Sequence, residues 1–517
     1  MARSSLAGGV AALFAANLFS RILGFAYRAM AVRLIGAEGM GLYQMVFPVY
    51  GLVLVITTAG LPLALARVTA EARPRGDYGQ IRRAFAVTAA VLTLAGVASV
   101  LAVGRLVPVL SQTVLPDPRT QVILSAAVPA LMVVPVASAF RGLFQGLGRL
   151  DRPAQALMVE QVARVAVGLY LAARLLPRGL AVAAAGLATG MVVGEAAGLA
   201  YLLSAYAREK PWRNALPPRA GLSIAATWHR LWQLGWPITL GRVVASVTLA
   251  LEAVLIPQRL QAGGYGLRQA TELYGQFSGV AMALLTLPTV FTLSLAAAAV
   301  PGVAEAAAGA RDRLARYRIR ETLRLTLVGG LPFAVAYLLF PHHLAHFLFG
   351  EARAGDSLRL LALGAVFVYL QQSSTGILQG LGRPDLATRH SVLGAVVLLV
   401  GIYWLTVLPG WGIAGAAAAV VASALVGCAL NLRSITRLSG SGLTPADWVA
   451  ALAAASAMIA ASAWAWRRLA PSLTAPAAVA AALLLGAAVY VLLALALGAL
   501  SRQDLARLFG MLGRPIR

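Results

Sequence analysis

Long stretches of this 517-residue chain contain no Asp, Glu, Lys or Arg. Residues 325–350 and 360–382 are two of them, and 390–432 is a third, divided by Leu408-Pro409-Gly410-Trp411-Gly412. A backbone that leaves water must satisfy its own N–H and C=O groups, so apolar runs of about 20 residues are built as membrane-crossing helices. Composition agrees, with 60% hydrophobic and 12% charged residues, whereas a soluble domain carries about 25% charged. The sequence therefore predicts an all-α integral membrane protein.

Fourteen apolar runs qualify as spans, centred near residues 18, 55, 95, 131, 165, 193, 244, 288, 334, 367, 398, 423, 458 and 486. The connections between them are too short for an extramembrane domain. The net charge of +25 lies in small loop clusters, which argues against nucleic acid as a partner. Of the 43 basic residues, 28 fall on the even-numbered connections and the two tails, including the run Arg311/Arg313/Arg316/Arg318/Arg320/Arg324. That excess predicts a multi-pass protein of the cell membrane with both termini in the cytoplasm.

The chain repeats itself. Leu143-Phe144-Gln145-Gly146-Leu147-Gly148-Arg149 ends the fourth span and Ile377-Leu378-Gln379-Gly380-Leu381-Gly382-Arg383 ends the tenth. Glu71 and Glu305 keep the same offset. Two parallel six-helix repeats are expected, an arrangement found in transporters. The expected organisation is an N-terminal lobe at 1–207, a cytoplasmic linker at 208–228, a C-terminal lobe at 229–437, and two further spans with a tail at 438–517.

Charges inside spans are costly and face partners or watery cavities. Arg21 and Arg28 are seven residues apart on one face of the first span, with Asn17 four residues before Arg21. Arg242 occupies a comparable place in the seventh. Guanidinium holds phosphate by paired hydrogen bonds and stays charged when desolvated, so Arg21, Arg28, Arg242 and Asn17 are expected to line a cavity for an anionic head group. Arg28 could instead snorkel to the surface. Glu160 and Arg164, four apart, either neutralise each other or take part in ion coupling. Glu195 has no sequence-local partner, and Glu252 could pair with Arg259 or hold a cation or proton.

The remaining chemistry is sparse. The single cysteine, Cys428, lies in an apolar run and is expected to pack there. His342, His343 and His346 read as a solvated loop cluster, with no metal pattern. No phosphate-binding Gly-rich loop followed by Lys-Ser/Thr is present, and no cofactor or catalytic residue is expected. Pro48, Pro62, Pro135, Pro288 and Pro332 are expected bends or hinges.

Asn17-Leu18-Phe19-Ser20-Arg21-Ile22-Leu23-Gly24-Phe25, followed by Gly39-Met40-Gly41-Leu42-Tyr43-Gln44, resembles the opening of the polysaccharide-biosynthesis flippases. These belong to the multidrug/oligosaccharidyl-lipid/polysaccharide exporter superfamily, and the likeness is greatest to the stage V sporulation protein B-like group. Arg141-Gly142-Leu143-Phe144-Gln145-Gly146, Val159-Glu160-Gln161-Val162-Ala163-Arg164 and Pro257-Gln258-Arg259-Leu260-Gln261 extend it. The resemblance covers about residues 5–440. It implies V-shaped six-helix lobes that work by alternating access and flip an undecaprenyl-pyrophosphate-linked saccharide or peptidoglycan precursor. Ser20-Arg21-Ile22-Leu23-Gly24-Phe25 matches the first-span pattern of the peptidoglycan-precursor flippases, with Arg28 one residue late. Their second-span arginine has no counterpart near Val55 and Ile56, which favours the sporulation-type branch.

The expected protein is a monomeric transporter, not an enzyme. Its expected partners are a lipid-linked glycan, membrane lipids and a Na+ or H+ coupling ion. A cation-coupled multidrug exporter using Glu160, Glu195 or Glu252 is the alternative. A membrane glycosyltransferase or polymerase is a third reading, against which the short outer loops argue.

Overall fold

The computed structural model describes residues 2–209, 223–289 and 312–501; most of the expected 208–228 linker, and Glu305, lie outside them. Among the described residues there is helix and no strand. The helices are α1 (Ala2–Thr58), α2 (Leu61–Ala72), α3 (Tyr78–Val109), α4 (Thr120–Ala127), α5 (Ala130–Gly146), α6 (Asp151–Leu175) and α7 (Leu180–Glu209). There follow α8 (Ile224–Ala262), α9 (Leu267–Tyr274), α10 (Met282–Thr286), α11 (Asp312–Leu339), α12 (Pro341–Phe349) and α13 (Ala354–Gly380). The last four are α14 (Pro384–Leu405), α15 (Ile413–Ser439), α16 (Pro445–Leu469) and α17 (Ala475–Ala496). The chain forms two compact units, Met1–Pro257 and Gln258–Pro515.

Twelve helical segments among the described residues are long and apolar enough to cross a membrane, so the expected fourteen are not reproduced as separate helices. The first segment, Ala15–Arg75, contains two of the expected centres. Gly36, at φ 67, breaks α1 internally, a backbone state that a side chain would strain. A second break falls at Ala59 and Gly60, both at positive φ. The expected span near 288 extends beyond the described residues; the described part leading to it consists of short pieces, α9, a π-helical turn at Gly275–Ala281 and α10. Pro62 sits in the first turn of α2, where its missing N–H costs nothing. It starts a helix there and bends none, while Pro48, Pro135 and Pro332 lie inside helices.

The repeated motif folds the same way twice. Leu147 N–H donates to the Leu143 carbonyl, and Arg149 N–H to that of Phe144. Leu381 and Arg383 do the same with Ile377 and Leu378. Gly148 (φ 70) and Gly382 (φ 74) close the two helices, a left-handed cap that glycine adopts without strain. Each following arginine then pairs with an aspartate two residues on, Asp151 or Asp385.

In the first unit, Leu61, Leu65, Ile81, Phe85, Phe140 and Phe144 form the centre of a core that joins α2, α3 and α5. Helices α6 and α7 approach until their backbones touch: a Cβ on Gly190 would lie 2.2 Å from the Gly168 Cα. In the second unit, the ring of Trp466 on α16 meets His343 at 5.0 Å and Phe340 at 5.5 Å. The expected loop histidines are therefore on the helix α12, and His343 is packed. His342 reaches the Ala352 carbonyl and lies 3.5 Å from Asp356.

Burial and the flanking His342 and His346 push the His343 imidazole below its ordinary value of 6.5. Folding thus favours the neutral ring. Its stabilisation is complete above pH 6.5 and is lost as pH falls below that value. His343→Phe is expected to flatten the decline of thermal stability between about pH 6.5 and pH 5. Gly190→Val is expected to cost about 1–3 kcal/mol by overpacking, read as a lower unfolding midpoint in detergent.

Candidate functional site

Four charged side chains meet inside the first unit. Glu160 and Arg164 project one turn apart from α6, which fixes them on one face. Glu195 comes from α7, where Gly194 and Gly198 let the two helices close around it: a Cβ on Gly194 would lie 2.7 Å from the Glu160 carbonyl oxygen. Arg141 arrives from the last turns of α5. One terminal nitrogen of Arg141 donates to Glu160 at 2.8 Å and to Glu195 at 3.2 Å. Its counterpart on Arg164 donates to the other oxygen of each carboxylate, at 2.7 and 3.1 Å. The result is a closed ring of two guanidinium and two carboxylate groups that neutralise one another. The Glu160 side chain is 5% exposed and that of Glu195 11%.

Three tyrosines of α1 lie near this ring. Tyr27, Tyr43 and Tyr50 all lie in the electrostatic field of Arg164, and Tyr43 also in that of Arg28. The hydroxyls of Tyr27 and Tyr50 and the Nε of Arg164 are buried with no hydrogen-bond partner among the described residues. Such groups carry a desolvation cost that a bound water or polar ligand relieves. Tyr43 and Tyr50, with Phe47 and Met191, line a small cleft beside the ring.

The remaining expected site residues divide by what they touch. Arg21 and Arg242 are exposed and make no ion pair or hydrogen bond among the described residues. Arg28 is half-buried and near Tyr43. Asn17 is exposed, and its amide nitrogen donates to the carbonyl of Leu13 on its own helix. Glu252 has no partner among the described residues. Arg259, the partner suggested for it, donates to the Tyr403 carbonyl and lies 4.0 Å above the Tyr403 ring. The i,i+4 pairing of Glu160 and Arg164 is as the spacing suggests. Glu195 does have a partner, in fact two, and Arg141 stood in the sequence only as part of a family motif.

A cation binding at Glu160 or Glu195 would have to displace a guanidinium, so the ring acts first as a clamp on α5, α6 and α7. Among the described residues no group of three or more His, Cys, Asp or Glu is placed to hold a metal ion. Arg21 and Arg242, like Arg105 on α3, are cations within apolar helices that make no bond or ion pair among the described residues.

Known proteins share this architecture. The lipid II flippase MurJ in its inward closed conformation superposes with a TM-score of 0.71 at 14% identity, over 93% of this chain and 98% of that one. An inward-facing multidrug resistance MATE family transporter of the MOP superfamily gives 0.67 at 15% identity, covering 82% and 96%. The fold is therefore that of the MOP-superfamily transporters. In sequence, residues 6–307 match the model of the polysaccharide biosynthesis protein family, and residues 278–404 match the MatE family. Stage V sporulation protein B of Bacillus subtilis (strain 168) is 30% identical over 442 residues, 85% of each chain. Lipid II flippase MurJ of the same organism is 25% identical over 423 residues, 77% of this chain and 76% of its own. The chain belongs to the polysaccharide biosynthesis protein family.

Removing one member of the ring leaves a buried charge uncompensated, which typically costs about 3–5 kcal/mol. Glu195→Ala is expected to lose stability on that scale in denaturant unfolding of the detergent-solubilised protein. A loss under about 1 kcal/mol, the value of a surface pair, would show that the ring does not hold the helices.

Proposed function

We propose that this protein flips an undecaprenyl-pyrophosphate-linked saccharide, or a lipid II-like peptidoglycan precursor, across the cytoplasmic membrane by alternating access. The observation that carries the reading is the division among the first unit's intramembrane arginines. Arg141 and Arg164 are neutralised by carboxylates, whereas Arg21 and Arg242 are not. Uncompensated guanidinium groups on helices of a membrane transporter suit an anionic cargo, because a pyrophosphate accepts the paired hydrogen bonds they offer. Arg28 and Asn17 complete the head-group contacts, and the polyprenyl tail stays among the membrane lipids.

In this reading both termini are cytoplasmic and a single chain suffices. Residues 1–207 and 229–437 act as the two lobes joined by 208–228, with 438–517 as an addition. The names of two relatives, a sporulation protein and a lipid II flippase, support a role in building the cell envelope. A cation-coupled exporter is the second reading, and the MatE family match over 278–404 favours it. Its acidic site would fall to Glu252, since Glu160 and Glu195 are committed to the ring. In a flippase, the same Glu252 is the first unit's available carboxylate for a Na+ or H+ coupling ion.

The test is a leaflet-accessibility assay in proteoliposomes with an undecaprenyl-pyrophosphate-linked disaccharide. Arg21→Ala and Arg242→Ala are each expected to slow flipping by about tenfold or more, the value of one charge-assisted hydrogen bond. Unchanged flipping in both folded variants removes the arginine site, and export of an organic cation with no flipping selects the second reading.

A further inference from the structure

Helix α8 opens the expected second repeat, yet the first unit extends along it to Pro257. Within that unit α8 meets α2 and the break before α2 at two places. At one, a Cβ on Gly60 would lie 2.5 Å from the Gly235 carbonyl oxygen and 3.0 Å from Thr239 Oγ1, and a Cβ on Gly235 would lie 2.9 Å from the Ala59 carbonyl oxygen. At the other, Arg230 Nη2 donates to Glu71 Oε2 at 2.6 Å, while Arg67 holds the second oxygen at 3.1 Å. Between them Leu231 of α8 is buried in the core that contains Leu61 and Leu65 of α2.

The break is costly as it stands. Ala59, at φ 43, is the one residue other than glycine at positive φ among the described residues, a state that a Cβ disfavours. Gly60 starts α2 without a side-chain cap. The N–H groups of Gly60 and Leu61 find no acceptor among the described residues. In a continuous helix they would donate to the carbonyls of Ile56 and Thr57, which are unpaired there too. Straightening the break forms two hydrogen bonds and relieves Ala59, at the expense of the contact with Gly235. An element with two such packings is the ordinary basis of a conformational switch.

Leu231, Gly235, Thr239 and Arg242 fall four, four and three residues apart, so they share one face of α8. The first three are buried and Arg242, next along the face, is exposed. We propose that the meeting of α2 with α8, through Glu71–Arg230 and through Ala59–Gly60 against Gly235, is a latch that closes the approach to Arg242 from the Ile224 end of α8. When it opens, the ion pair parts, α1 and α2 become continuous, and the face from Leu231 to Thr239 meets water. The ion pair suits this duty, because its side chains are 36% and 37% exposed and water and salt keep such a pair weak. The passage of an anionic cargo along that face rests on the flippase reading, in which the Ile224 end is cytoplasmic; the latch does not.

Two measurements test it, both on the full-length protein in proteoliposomes with Cys428→Ala. In the first, Thr239→Cys reports the latch by its rate of labelling with a water-soluble maleimide, which should be slow. Glu71→Arg and Arg230→Glu should each speed labelling by about fivefold, the value of one exposed ion pair, and the two together should return it to the slow rate. Labelling that ignores the single reversals, or that stays fast in the double, overturns the latch. In the second, Glu71→Cys and Arg230→Cys are joined by a reducible bis-thiosulfonate linker. Flipping of the undecaprenyl-pyrophosphate-linked disaccharide should stop on cross-linking and return on reduction. Flipping unchanged by the cross-link overturns the role of the latch in transport. Absence of flipping without the linker, with labelling as expected, overturns the flippase reading and leaves the latch standing.

Discussion

An ionised group is costly in the membrane interior without a partner, and much of the first unit is organised around that cost. Nine acidic residues lie between Met1 and Pro257. Eight of them are engaged: Asp77 caps α3, and Glu38, Glu71, Asp117, Asp151, Glu160, Glu195 and Glu209 meet arginines. These contacts tie helices together at several depths. Glu209 collects Arg149 and Arg152 at the ends of α5–α7, Arg230 brings α8 to Glu71 on α2, and the four-membered ring lies between them in sequence on α6 and α7. Small residues make the closest of these approaches possible, since side chains at Gly190 or Gly194 would keep α6 from α7.

That arrangement gives the arginines two different roles. Those opposed by carboxylates are structural, because their charge is cancelled where it stands. Arg21 and Arg242, with no bond or ion pair among the described residues, keep their charge uncancelled. The second unit pairs Arg320 with the buried Asp447 and adds uncharged links, with Tyr369, Tyr337 and Tyr490 donating to backbone carbonyls and Asn431 bridging three helices.

Much of this was legible before any coordinates. The charge-free runs mark the helices, and the Gln-Gly-Leu-Gly-Arg segments mark two identical helix ends, because only glycine closes a helix at φ near +70 without strain. The Glu160–Arg164 contact follows from i,i+4 spacing. Illegible were the contacts of Arg141 with Glu195, 54 residues apart, and of His390 with Asn431, 41 apart. No local periodicity records which face of one helix meets which face of another. The first two expected spans run together for a related reason: Gly36 and Ala59–Gly60 bend a continuous helical stretch without ending its apolar character.

The sequence by itself determined that the chain is helical, that it lies in a membrane, that its motif recurs, and which family it resembles. Those properties follow from hydropathy, spacing and backbone sterics, all local in the chain. Only the tertiary structure decided which charges are cancelled by a neighbour and which are not. A guanidinium is structural or functional according to what packs against it, and in the ring those neighbours come from α5, α6 and α7.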